Sequence, residues 1–361
     1  MPIFDQGYQH WSGQLSGHAW RWLAVTRHGV RVAMANRLLR VLLLLAWMPA
    51  ASLAAALCIW GLLEQKSSAI ASLLPLLDFI DPAILADPRK YRVEIWTICY
   101  HYFLSIELYA SMVMIVLVGP NLISQDLRYN ALPLYLSRPL RRIDYFLGKL
   151  GVIVTVLSLV TVLPSVFAYI LGLLFSLDRS IVGDTFGLLL SSVAFGLVVC
   201  VSSGMVILAL SSLSRNSRYV ALLWLGLWLV GGAVSSVLHT IDYDERARAT
   251  RRQEVHPDGY VVYVHDEPAR RAQEKKDASS NWRPLVSYTS NLARIQEELL
   301  GTNAAWERLA SVLPEFARDR FVRDFLEPSY PWQWSAGVLF GLFGLSACIL
   351  HRRVKSLDRL K

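Results

Sequence analysis

Gly148-Lys149 is the kind of pair that closes a phosphate-binding loop, but Leu150 follows it where a Ser or Thr must reach magnesium. The pattern GxxxxGK with Ser or Thr after it occurs nowhere in the 361 residues, so ATP hydrolysis by that route is excluded. HExxH and GxSxG are missing as well, which removes zinc-dependent and nucleophile-elbow hydrolysis. The four cysteines, Cys58, Cys99, Cys200 and Cys348, form no CxxC pair and have no histidine at metal-ligand spacing; each reads as a small apolar residue. One acid remains, Glu107, deep in an apolar stretch. A charge at the centre of a bilayer costs about 2.5–3.5 kcal/mol, so Glu107 must face protein or water. At helical spacing Tyr100, Ser111 and Met114 share its stripe and His101 does not. Two readings follow: a pathway or gating contact, or a protonated carboxyl bonded to a neighbouring helix.

The elements that would position these residues are membrane helices. The chain is 54% hydrophobic and 18% charged, with its apolar residues gathered in blocks and most charge between them, which excludes a disordered chain and an ordinary soluble enzyme. A bilayer core of about 30 Å needs roughly 20 helical residues. Six stretches qualify: Leu39 to Leu63, Ile98 to Val118, Leu147 to Phe175, Thr185 to Leu213, Tyr219 to Ile241, and Gln333 to Leu350. The third and fourth exceed a minimal span, and Pro164 is the expected kink in the third.

Charge between the blocks orients them. The N-terminal flank carries Arg21, Arg27, Arg31, Arg37 and Arg40 against Asp5. With the second connection, the fourth and the tail, one side collects 17 basic against 4 acidic residues. The short connections of the other side hold Lys66, Arg89, Lys90, Arg92 and Arg179 against seven acids. Both termini are therefore expected in the cytoplasm. The net charge of +8 thus serves topology and attraction to anionic lipid rather than nucleic acid. No cleavable leader is visible before the first block, which stays as an anchor. Residues 18–38 read as a loosely amphipathic basic helix at the cytoplasmic interface, with Trp11, Trp20 and Trp22 at headgroup level. Gly337 with Gly341, and Gly187, Ser191, Ser192 and Gly196, are small-residue stripes expected to pack helices, or else to form a seam between two chains.

The connection 119–146 is the most informative stretch. It leaves the membrane at Gly119-Pro120, continues as a short piece charged at Asp126 and Arg128, breaks at Pro133, and turns at Ser137-Arg138-Pro139. It then passes Arg141, Arg142 and Tyr145 and re-enters with Lys149 at the interface. These features resemble the permease subunits of ABC transporters of the ABC-2 type, in Asp126, Ser137-Arg138-Pro139, Tyr145 and Gly148-Lys149. The six-span layout and the large connection before the last span extend the likeness over most of the chain. It departs at Asp126, where Glu is commoner, and at Tyr129-Asn130-Ala131, which replaces a small Gly-Thr step. The resemblance implies a coupling helix that docks in a separate ATP-binding subunit, with Asp126, Arg128, Arg138, Arg141 and Arg142 making charged contacts. Pro139 would hold the turn, and Ser137 and Lys149 are counted with the residues that couple to the ATP-binding subunit.

The expected protein is all-α and polytopic, with six transmembrane helices, cytoplasmic termini, and a small mixed outer domain between helices 5 and 6. Its division is a cytoplasmic segment 1–38, helices 1–5 over 39–241, an outer region 242–332, helix 6 over 333–350, and a basic tail 351–361. In the outer region 256–264 reads as a turn and a strand, and 303–326 as a helix interrupted at Pro314 with Trp306, Leu309 and Phe321 on its apolar side. The function expected is that of a permease subunit, an exporter by family analogy and not itself an enzyme, multi-pass in the cell's inner (cytoplasmic) membrane. It would work with an ATP-binding subunit that holds MgATP and with a second permease chain. It holds no cofactor or metal of its own. The alternative is a non-transporting scaffold that organises an envelope assembly through its outer region.

Overall fold

The computed structural model describes residues 20–66, 82–131, 141–176, 178, 180–249, 251–255, 261–265, 281–313, 318, 321 and 330–357. The described residues are helical apart from turns and one antiparallel hairpin, Arg251–Val255 with Val261–His265. Six helices are long and apolar enough to cross a membrane. They are span 1 Arg37–Glu64, span 2 Pro88–Arg128, span 3 Arg142–Ser176, span 4 Ser180–Leu213, span 5 Ser217–Leu238 and span 6 Trp332–Arg353. Spans 2 and 4 are the most buried and form the centre; spans 5 and 6 are the least. The protein is an all-α polytopic membrane protein, as the apolar blocks require.

The long α-helix of span 2, Arg92–Val118, begins six residues before the apolar block because Arg92 and Glu94, which read as connection, are buried helical residues with ion-pair partners. Span 3 breaks at Thr161 between the helices Arg142–Val160 and Val162–Ser176. Pro164 lacks the amide that would bond the carbonyl four residues earlier, so the break falls ahead of it. Thr161 turns its hydroxyl back to the Leu157 carbonyl at 3.0 Å. Gly196 lies against Val162 and Thr161, and the Ser192 hydroxyl meets that of Ser165 at 2.9 Å, so this stripe packs spans 3 and 4 as expected. Gly187, Gly337 and Gly341 do not: a β-carbon on any of them would meet nothing within 4 Å among the described residues.

A lead helix, Arg21–Ala35, precedes span 1, and extended Asn36 separates the two while its side chain accepts the Leu38 amide at 3.0 Å. The lead helix is keyed into the start of span 3. A β-carbon at Gly148 would fall 2.5 Å from Val25 Cβ, and one at Gly151 would fall 2.4 Å from Thr26 Oγ1. Thr26 donates to the Gly148 carbonyl at 3.0 Å.

The segment after span 5 contains an element that apolar counting misses. A return helix, Tyr288–Leu300, starts at the N-cap Ser287 and ends at left-handed Gly301. It is wedged among spans 2, 4 and 6. The Tyr288 hydroxyl lies 3.0 Å from that of Ser202 and 2.9 Å from that of Ser203, deep in span 4. Gln296 donates to the His101 carbonyl at 2.8 Å and to Ser105 Oγ at 3.1 Å in span 2. Thr302–Ala310 follows with Trp306 and Leu309 buried, and Trp306 meets Phe321 edge-on. The turn at 256–260 and most of 314–329 lie outside the described residues.

Candidate functional site

The two ends of the bundle carry different polar constructions. At one end the long helix of span 2 stops at Gly119, whose missing β-carbon leaves room for Ile207 of span 4, and the span closes after Pro120 in an eight-residue ledge helix, Asn121–Arg128. A helix start leaves amides without partners, and Pro120 has no side chain to cap them. Span 4 supplies the cap. The Ser211 hydroxyl accepts the amides of Ile123 at 3.1 Å and Ser124 at 3.0 Å and donates to the Pro120 carbonyl at 2.9 Å.

The other side of the ledge is fastened to span 3. Asp126 accepts the Tyr145 hydroxyl at 2.6 Å and lies 2.7 Å from Lys149 Nζ, with Lys149 also over the Tyr145 ring. Asp126 and Lys149 are thus directed at each other, both side chains mostly buried. The ledge is one piece with the ends of spans 2, 3 and 4. Asn130, with φ 50°, takes the left-handed conformation just past the helix end, where its short amide side chain is tolerated.

The ledge projects a different set of residues. Asn121, Gln125 and Arg128 are exposed along one stripe, and Tyr129 is 72% exposed with the Arg128 guanidinium 5.7 Å from its ring centre. Arg141 and Arg142 are exposed beside it, with Ile143 exposed too. The sequence reading named Arg128, Arg141 and Arg142 but missed Gln125 and Tyr129, whose i to i+4 spacing was the available signal. Ser137, Arg138 and Pro139 lie outside the described residues.

The opposite end holds a buried ion network. Arg92 bonds both Glu64 oxygens, at 2.8 and 2.5 Å, and reaches Ser180 at 3.1 Å and Asp178 and Asp184 at 3.2 Å each. Spans 1, 2 and 4 are clamped there through one guanidinium. The Asp178 carboxyl, in the loop before span 4, is held down to about 2, first by the backbone amide and hydroxyl of Ser180 and then by Arg92. Glu94 pairs with exposed Arg308 at 2.9 Å.

Glu107 is fully buried in span 2, and among the described residues neither carboxyl oxygen has a hydrogen-bond partner; nor does the Ser111 hydroxyl one turn along. It points away from the open side of span 2. That open side carries Tyr102 and Tyr109, 50% and 54% exposed, either side of Ser105 at the helix midpoint. Tyrosine hydroxyls belong at interfaces, so two of them on the open side of an apolar span stand out. Among the described residues no group of His, Cys, Asp and Glu is arranged to hold a metal ion.

The sequence profile of ABC-2 family transporter proteins matches residues 23–297, from the lead helix into the return helix. The chain belongs to the ABC-2 transporter family. It is therefore a membrane subunit of an ABC transporter. A search of curated proteins finds no match to the chain.

Proposed function

We propose that this chain is the permease of an ATP-driven exporter, paired with a second permease chain and moved by a separate ATP-binding subunit that docks on the ledge. The observation that carries this reading is the ledge's division of labour. Asp126, Lys149, Tyr145 and Ser211 bind it to three spans, while Gln125, Arg128, Tyr129, Arg141 and Arg142 face outward. A docked subunit that shifts on binding MgATP would carry spans 2, 3 and 4 with it as a body. Ser137, Arg138 and Pro139 are assigned to the same coupling role on their sequence alone. The basic excess on this side makes the ledge end cytoplasmic, with both termini. The membrane is the cell's inner, cytoplasmic membrane.

The open face of span 2 supplies the pathway wall. Tyr102, Ser105 and Tyr109, continued by His101 and Gln296 of the return helix, form a polar ribbon at mid-depth that a second copy would enclose. Glu107 is buried on the other side, facing the interior of the bundle, and its part in gating requires span 2 to rotate or open.

The test is capture and coupling in one preparation. Wild-type chain co-purified with the ATP-binding subunit encoded beside it should hydrolyse ATP in lipid, and Arg128→Glu with Tyr129→Ala should abolish capture while leaving the permease folded. Capture undiminished by that pair would remove the ledge from the docking role.

A further inference from the structure

We propose that the outer face of the lead helix is a binding site for the headgroup of an acidic phospholipid, built from Arg27, Arg31 and Trp20. The position of the helix comes first. Thr26 and the glycines Gly29, Gly148 and Gly151 fix it against the first turns of span 3, where that span enters the bilayer. Gly148 is six residues, about 9 Å, into a helix that begins at Arg142, which puts the seam at the headgroup and acyl boundary.

The composition of the opposite face follows. Trp20, Arg27 and Arg31 lie along one stripe at helical spacing, away from buried Thr26. Trp20 is 67% exposed, both arginines are exposed, and neither arginine has an ion-pair partner among the described residues. Exposed Leu23 and Val32 flank the stripe. No acidic residue occurs between Asp5 and Glu64, so nothing in the helix or in span 1 before its far end competes for the arginines. An apolar rim with an indole and two guanidiniums one turn apart matches a lipid phosphate above its acyl chains, since arginine forks bind phosphate bidentately. A soluble anion would use the charges and leave Trp20, Leu23 and Val32 in water.

The site touches the ledge indirectly. Gly148 and Gly151 take the lead helix on one side of span 3, and Lys149 between them takes Asp126 on the other. A lipid that steadies the lead helix therefore steadies the turn to which the ledge is fastened.

The experiment needs neither ATP nor transport, so its failure is distinct from failure of the exporter reading. The full chain is placed in phosphatidylcholine bilayers containing spin-labelled phosphatidylglycerol or spin-labelled phosphatidylcholine, and the motionally restricted fraction is measured. Wild type should retain phosphatidylglycerol preferentially. Arg27→Gln with Arg31→Gln should cut the preference on the order of tenfold, and the lysine pair at the same positions, which keeps the charge but loses the bidentate fork, should fall between the two. Arg215→Gln with Arg218→Gln, exposed basic residues elsewhere at the ledge end, should leave it unchanged. Equal preference in wild type and the glutamine pair, or an equal loss in the Arg215 and Arg218 control, would overturn the site.

Discussion

The ends of this bundle are both held by ion pairs, yet they are built for different work. Arg92 and Glu64 are sealed from solvent, and their partners come from spans 1, 2 and 4, so the far end is closed around one buried cation. At the ledge end the Asp126 and Lys149 pair is partly open, and its bonds tie a short protruding helix to the spans rather than the spans to each other. A buried pair is costly to break, because removing one partner strands the other charge. A partly exposed pair can be broken at lower cost and still transmit force while it lasts. The difference suits a bundle hinged at the far end and levered from the ledge.

Breaking the far clamp should have the largest effect. Arg92→Ala leaves Glu64 buried without its guanidinium and should cost about 3–5 kcal/mol, read as a fall in thermal midpoint in detergent. Arg92→Ala with Glu64→Gln should recover part of that loss. If the single variant is as stable as wild type, the clamp is not structural. Asp126→Asn should cost less, about 1.5–3 kcal/mol, through the weakened bonds to Lys149 and Tyr145. Its signature is functional: the ATP-binding subunit still binds, but hydrolysis no longer responds to transport. Loss of stability equal to that of Arg92→Ala, with coupling intact, would reverse the assignment of the two ends.

The smallest effect concerns acid. Asp178 has its folded value pushed below the usual carboxylate value to about 2, so its stabilising bonds to Ser180 and Arg92 are present above about pH 4 and lost between about 4 and 2. Asp178→Asn should flatten this part of the stability profile without altering the profile near neutrality. An unchanged acid limb would mean that other carboxylates govern it.

The six apolar blocks and their order were legible because a membrane helix must be apolar over its length, and residues such as Leu39 and Val118 mark such blocks directly. The outward arginines of the ledge were legible through their charge. The ties that make the ledge rigid were not. Ser211 lies in an apolar run 91 residues from Pro120, and no spacing rule relates a hydroxyl in one helix to the cap of another. Asp126 read as a docking acid since a lone sequence does not say which cation it meets. Arg92 and Glu94 read as loop because charge is taken as exposure, whereas pairing permits burial. The return helix had caps, Ser287 and Gly301, but too few apolar residues to announce that it enters the bundle.

The claim on which the account turns is that the ledge moves with its spans as a single body. Spin labels at Asn121→Cys and Leu213→Cys, in a chain with its four native cysteines replaced by alanine, report ledge to span 4 within one protomer; Asn121→Cys alone reports ledge to ledge across the pair. In the complex with the ATP-binding subunit, a non-hydrolysable ATP analogue should leave the first distance unchanged and shorten the second. A first distance that changes while the second stays fixed would contradict the account.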